Sequence, residues 1–487
     1  MCAPMVVALY AIPRLIAGLG QERFGLLSIV WMLVGYFSVF DLGLGRALTK
    51  TVAERLGTGR AHEVPGVFWT AFVIMLALGA AGGLVVYLIA PWLAGHALNI
   101  EPVLQPETLR AFRAVAFGLP VIITVTGLIG TLEACHRFPL INAIRVPTGA
   151  FTFLGPLLVL PYARDLYAVV LVLLAGRVAE WLIFMAACLR VVPGLRSGSA
   201  FRRDQVPDLL GFGGWMTVSN ILLPLMIHVD RFLIGALRTV GEVAYYVTSA
   251  EIVIKLLILP RAWVSVLFPT FAAHFQGRRA ETTALYAQSV RLLLAALFPV
   301  VLLIVVFAPQ GLGLWLGPAY AEHSATVMRL LATGVFIYSL AFVPTSLLQG
   351  IGRPDLTAKV HAVEMPLYLA MASLLIHRFG IRGAALAWLL RAAFDAICLF
   401  LLAARQAPGS GDALRRVAPA AAVALALLGL GALPQGWTIK VLCSAGAIVI
   451  FAAICWVWLF VEGDRNAVRK RINQLIRRSG GPQRGAA

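Results

Sequence analysis

The sequence predicts an all-α, polytopic membrane protein of about fourteen spanning helices. They form two six-helix lobes, related by a pseudo-two-fold axis along the membrane normal, followed by two further helices. Three observations predict this. Hydrophobic residues make up 60% of the 487 residues and charged ones 13%, with a mean hydropathy of +0.89. A soluble chain has roughly 45–50% apolar and about 25% charged residues, and no soluble core of this length hides so much apolar surface. Apolar runs of roughly the 20 residues needed to cross a bilayer follow one another along the chain. Basic landmarks of the first half recur in the second at a nearly constant offset. The composition excludes a soluble enzyme, a secreted disulfide scaffold and a disordered chain.

In order, the runs lie at residues 1–18, 24–47, 65–94, 110–134, 139–162, 166–190, 209–236, 244–272, 285–308, 324–349, 356–377, 381–404, 415–434 and 438–461. The first starts at the initiating Met without a basic flank. It lacks a charged n-region and further spans follow, so it is not read as a signal peptide; either the first helix is abbreviated or the true start lies further upstream. No connection exceeds about 20 residues, too short for a soluble catalytic domain. The division is a lobe over 1–200, a second over 201–408, two helices over 409–464 and a basic tail over 465–487. In the tail, Val468, Ile472, Leu475 and Ile476 recur at helical spacing among basic residues. That pattern suits either an interfacial helix on an anionic leaflet or a solvated tail.

The net charge of +18 comes from 40 Lys and Arg against 22 Asp and Glu, mostly placed in the gaps between runs. Such placement sets membrane topology and does not point to nucleic acid. With the N-terminus inside, the cytoplasmic segments hold 24 basic residues and the outer segments 8. Both termini of this multi-pass chain are therefore expected in the cytoplasm. The six cysteines lie in or beside apolar runs with no CxxC pair, so neither a metal site nor a disulfide framework is expected.

The repeat rests on four matches. Arg14 with Leu15-Ile16-Ala17-Gly18 matches Arg231 with Phe232-Leu233-Ile234-Gly235. Arg137 matches Arg353. Arg177 with Glu180 matches Arg391 with Asp395, and Arg46 matches Arg261. The offsets are 217, 216, 214 and 215 residues. Six spans per repeat return the chain to the same side, so the axis relating them runs along the membrane normal.

Several segments resemble a known family. Phe24-Gly25-Leu26-Leu27-Ser28, then Gly35-Tyr36-Phe37 and Asp41-Leu42-Gly43-Leu44-Gly45-Arg46-Ala47, resemble the second helix of polysaccharide flippases. These belong to the multidrug/oligosaccharidyl-lipid/polysaccharide exporter superfamily. Asp230-Arg231-Phe232-Leu233-Ile234-Gly235 and Val240-Gly241-Glu242-Val243-Ala244-Tyr245-Tyr246 are similar to its seventh and eighth helices. Gly350-Ile351-Gly352-Arg353-Pro354, Glu364-Met365-Pro366-Leu367-Tyr368 and Phe379-Gly380-Ile381-Arg382-Gly383 are similar to helices ten to twelve. The resemblance covers roughly residues 10–405. It implies an inner-membrane flippase for polyprenyl-diphosphate-linked oligosaccharide, with two lobes around a cavity open alternately to either side. It also implies lipid-linked oligosaccharide and membrane lipids as partners, with polysaccharide polymerase machinery a further candidate partner.

A charge at the bilayer centre costs at least about 3 kcal/mol, so each needs a partner or a watery cavity. Arg177–Glu180, Glu251–Lys255 and Arg391–Asp395 can pair along their own helices. Arg14, Arg46 and Arg261 have no acid at such spacing. Asn220, Pro224, His228 and Arg231 make one polar stripe. Arg14, Arg46, Asn220, His228, Arg231 and Arg261 are therefore the candidate substrate-binding residues, since guanidinium can grip a diphosphate bidentately. Arg14 and Arg231 are expected near the outer helix ends, and Arg46 and Arg261 near the inner ones. Asp41, Glu251 and Glu364 are the candidate coupling acids. Gly43, Gly45, Pro224, Pro260 and Pro269 are either bending points or places of close helix packing. There is no GxxxxGK[ST], HExxH or DxD, so no catalytic residue, cofactor or resident metal is expected. The competing readings are a cation or drug antiporter of the same superfamily, which calls for an acidic cavity, and a membrane-embedded polymerase or ligase, which calls for an outer catalytic loop.

Overall fold

The computed structural model describes residues 2–37, 43–192, 194–196, 226, 228–274, 279–407, 409–433, 436–461 and 465. Those residues are all-α, with no strand among them. The helices are α1 (Cys2–Leu19), α2 (Gln21–Phe37), α3 (Leu44–Gly57), α4 (Val64–Trp92), α5 (Gln105–Ala134), α6 (Phe138–Val159) and α7 (Leu166–Val191). Then come α8 (228–237), α9 (Val240–Ile254), α10 (Ile258–His274), α11 (Arg279–Leu316), α12 (Pro318–Gly350), α13 (Pro354–Gln406), α14 (Ser410–Gly431) and α15 (Trp437–Ile454). Among the described residues, eight helical segments are long and apolar enough to cross a membrane by length and composition. Most expected spans coincide with these helices. The interfacial helix expected in the tail lies outside the described residues.

One expected span is broken and a second is locally tightened. The run 24–47 is not one helix, because α3 starts afresh after Gly43, whose φ of 75° no helix interior accommodates. The run 244–272 continues through a 3-10 turn at Lys255–Leu257 that joins α9 to α10, with right-handed helical backbone on either side. Conversely, Pro354–Gln406 runs as one long element until Gly380, where φ 58° and ψ −139° separate the two expected spans. Gly383 allows this hairpin to close, since a Cβ there would fall 1.9 Å from the Leu375 carbonyl oxygen.

The described chain divides into two compact units. The first comprises Met1–Thr248 with His361–Ala387, the second Ser249–Val360 with Trp388–Ala487. In the first unit, α4 and α7 flank α5, while α6 packs on α7 and α1 on α6. Its core joins α3, α4, α5 and α7 through Leu48, Phe68, Met75, Leu128, Phe184 and Cys188, all essentially inaccessible. Close approach of small residues supplies the contact energy that burial from water supplies in soluble proteins. On α4, Gly79 and Gly83 lie one turn apart, and a Cβ at either would come within 2.5 Å of the α5 backbone at Pro120 or Ala116. In the second unit α12 packs on α11 and α10, and α14 and α15 lean on α11. Lys440, on the first turn of α15, is buried there and donates to Gln310 Oε1 at 3.0 Å.

One turn occurs twice. After α5, Cys135 N bonds Thr131 O, His136 N bonds Glu133 O and Arg137 N bonds Leu132 O; Arg137 then precedes α6. After α12, Ile351 N bonds Leu347 O, Gly352 N bonds Gln349 O and Arg353 N bonds Leu348 O; Arg353 then precedes α13. The two share a positive φ at the middle residue, 56° at His136 and 83° at Gly352, at the 216-residue spacing read from Arg137 and Arg353. A left-handed backbone costs a residue with a Cβ about 1 kcal/mol, and glycine nothing. The substitution His136→Gly should therefore leave the thermal unfolding midpoint of the detergent-purified protein unchanged or raise it. Gly352→Val should lower it by the equivalent of about 1–2 kcal/mol. Equal effects at both positions would mean that the two turns are not equivalent.

Candidate functional site

Arg14 lies on the exposed face of α1 with Tyr10, whereas Ala11 and Leu15 on the other face are fully buried. Its Nη1 donates to Tyr10 O at 3.1 Å, and the guanidinium sits 3.6 Å from the centre of the Tyr10 ring. It forms no ion pair among the described residues. The ring partly shields the cation yet leaves most of its donors open.

Arg231 behaves differently. It is 3% exposed, on α8 beside the equally buried Asp230. The Asp230 carboxylate accepts the Arg231 backbone N–H at 2.8 Å and, through its other oxygen, the Tyr246 hydroxyl of α9. Sequence reasoning passed over this tie, because Asp230 and Tyr246 are sixteen residues apart on separate helices. His228, one turn earlier, is half-buried. Asn220, Pro224 and Asp41 lie outside the described residues, as does the Arg46 side chain. Arg261 is exposed on α10 immediately after Pro260, in the second unit, with no ion pair among the described residues. Glu251 pairs with Lys255 at 3.4 Å. Glu364 is 2% exposed on the first half of α13, three residues from the buried His361. Arg177 bonds Glu180 at 2.8 Å, and Thr148 of α6 donates to the same carboxylate at 3.2 Å. Arg391 and Asp395 are both buried, the guanidinium 5.3 Å from the Tyr338 ring and 5.2 Å from that of Trp388.

At the expected outer end, the first unit carries a seam that joins the two halves of the sequence. Asn99, in the α4–α5 connection, caps the C-terminus of α8. Its backbone N–H donates to Gly235 O at 2.9 Å, and its Nδ2 to Ala236 O at 3.1 Å and Arg238 O at 2.6 Å. These are carbonyls that a helix end leaves without an internal partner. On the neighbouring helix, α2 meets the start of α9 so closely that a Cβ on Gly25 would lie 1.8 Å from Val240 O. Glu22 accepts the Gly241 N–H at that helix start, where a carboxylate also suits the helix dipole. Nearby, Arg23 holds Glu107 through contacts of 3.0 to 3.2 Å, and Glu107 also accepts the Leu166 N–H that opens α7. Nothing in the sequence signals the Asn99 contacts, which span some 137 residues.

These features can be set beside known proteins. A family model described as polysaccharide biosynthesis protein matches residues 14–325. The chain belongs to that family. A Shigella flexneri protein provisionally named O-antigen transporter is 29% identical over 409 residues, covering 82% of this chain and 96% of the relative. Among solved structures, an inward-facing multidrug resistance MATE family transporter of the MOP superfamily aligns with a TM-score of 0.73 at 16% identity, covering 83% of this chain and 96% of that one. A lipid II flippase, MurJ, in its inward closed conformation aligns with a TM-score of 0.71 at 12% identity, covering 93% and 96%. The family member described here thus has the fold of that superfamily, the one its sequence motifs resemble.

Burial raises the Glu22 carboxyl above its ordinary value; nearby Glu101 adds to the shift, and the Gly241 N–H opposes it. A folded-state pKa above the unfolded one means that the folded chain binds the proton more tightly. The destabilisation is therefore complete at pH above the folded value and is relieved as pH falls through it. Relative to Glu22→Gln, the wild-type protein should gain thermal stability as pH is lowered through the carboxylate range. Parallel pH profiles would show that the Glu22 charge carries no penalty in the seam.

Proposed function

We propose that this chain is a bacterial inner-membrane flippase that carries polyprenyl-diphosphate-linked oligosaccharide across the bilayer by alternating access, for surface polysaccharide biosynthesis. It transports its substrate and makes or breaks no bond in it. One observation carries the reading: in a family member with this fold, the exposed charges without an ion pair among the described residues include guanidiniums set within apolar helices. Arg14 and Arg261 are those guanidiniums. The described acids Asp230, Glu180 and Glu251 are each engaged by a neighbouring group. A diphosphate calls for such cations, which grip it through paired N–H donors and keep their proton at any working pH. A cationic drug would call for the reverse. Both termini are assigned to the cytoplasm, and the two six-helix repeats to a two-fold relation along the membrane normal. Asp41, Glu251 and Glu364 are the acids proposed to couple transport to an ion.

Arg14→Ala and Arg261→Ala should each lower surface glycan export by about tenfold, the loss of one charge-assisted contact. The amount of protein in the membrane should change much less. Lys replacements should restore export only in part, because the charge survives without the fork. Normal export by both well-inserted Ala variants, measured as surface glycan per unit of protein, would remove the anion-station role.

Topology gives a separate check. Reporter fusions after residues 100 and 315 should score periplasmic, and one after residue 280 cytoplasmic. A periplasmic signal at 280 would overturn the proposed orientation of the second repeat.

A further inference from the structure

We propose that the first unit holds a binding site for one two-chain anionic phospholipid, on the surface formed by α4, α5 and α7 at the expected outer end. The proposal rests on the membrane reading of the chain and not on the identity of its substrate. Two apolar troughs run side by side there. One lies between α5 and α7, has a volume of about 440 Å³, and is floored by Gly118, Val121, Leu171, Leu174 and Val178. The other lies between α4 and α5, has a volume of about 380 Å³, and is floored by Gly83, Leu84 and Pro120. Phe117 lines both and stands between them as a ridge, 76% exposed. Glycine brings the helices together at the floor of each trough: a Cβ on Gly118 would fall 2.4 Å from Leu174 Cδ2 and one on Gly83 2.5 Å from Ala116 O.

Both troughs converge on cations. Arg110 and Arg113 line the mouth of the first, and the Arg113 guanidinium lies 5.0 Å from the ring of Tyr87, which lines the second. Arg113 Nε is buried without a hydrogen-bond partner among the described residues. The acid one turn before Arg110 and the one two residues before Tyr167 are committed elsewhere. Glu107 is taken by Arg23 and the Leu166 N–H, and Asp165 caps α7 through Ala168 N at 2.7 Å. Two positive charges therefore face the expected headgroup level with no ion pair among the described residues.

The dimensions select the occupant. From Arg110 to Val121 the helix rises about 16 Å at 1.5 Å per residue, close to the roughly 15 Å of hydrocarbon in one leaflet of a 30 Å core. Two chains of leaflet length, straddling Phe117 beneath a phosphodiester held by Arg110 and Arg113, match the two troughs and the single cationic head. A single polyprenyl chain would occupy one trough and leave the other unused. A zwitterionic lipid would carry its own cation toward the arginines.

The test is native mass spectrometry of the full chain, delipidated in detergent and titrated with dioleoyl phosphatidylglycerol, dioleoyl phosphatidylcholine, undecaprenyl diphosphate or glycerol phosphate. The wild-type chain should retain phosphatidylglycerol about tenfold better than phosphatidylcholine, and glycerol phosphate not at all. Replacing both arginines, Arg110→Gln with Arg113→Gln, should erase that preference while leaving phosphatidylcholine binding unchanged. Val121→Trp, which fills the first trough, should lower retention of both phospholipids. The same thermal midpoint for lipid-free variant and wild-type chains separates these losses from misfolding. Equal retention of the two phospholipids by wild type, or a preference that survives the double replacement, overturns the proposal. So does retention of undecaprenyl diphosphate in place of phosphatidylglycerol, or an arginine-dependent dimer that excludes the lipid.

Discussion

The bilayer offers no hydrogen bonds, and the rest of this structure follows from that. Every backbone N–H and C=O, and every charge held at depth, must find its partner inside the protein. An all-helical chain meets the first demand along its own axis. Helix ends and charged side chains then become the places where elements are tied together. Asn99 serves three carbonyls at the end of α8, Glu22 the start of α9, Glu107 the start of α7. Arg329 turns its Nε to the Val305 carbonyl at 3.0 Å, and Lys440 reaches Gln310. Each tie satisfies a group that would otherwise be stranded, and each joins parts of the chain far apart in sequence.

Packing obeys a second constraint from the same source. Lipid tails are as apolar as the side chains, so burial alone does not draw helices together. Contact has to come from closeness. Gly79 and Gly83 bring α4 onto the α5 backbone, and Gly25 does the same for α2 and the start of α9. Between helices held this close, shallow apolar troughs remain on the surface, as on either side of Phe117.

Charge is handled according to its surroundings. Arg177 and Glu180 neutralise each other along one helix, with Thr148 completing the carboxylate's bonding. Asp230 is tied to Tyr246 across two helices. Arg14 stands apart, resting on its own tyrosine and presenting its free donors outward.

Composition and periodicity alone determined that this is an all-α membrane chain and where most of its helices lie, and the 216-residue spacing of two arginines marked a turn that occurs twice. Those properties are one-dimensional: helix length follows from bilayer thickness, and the repeat is carried by residues such as Arg137 and Arg353 that sit in the same local turn. Pairs within one helix were equally legible, because spacing fixes which residues share a face; Arg177–Glu180 and Glu251–Lys255 are examples. Gly43 was legible as a place where a helix could bend or pack closely, but the pattern did not choose between the two; the structure shows a left-handed backbone there. Only the tertiary structure decided which charges are answered. Arg14 and Arg231 look alike in sequence, yet one is open and the other buried beside Asp230. The difference lies in what the neighbouring helices bring within 3 Å, and that depends on packing between segments that no local pattern records.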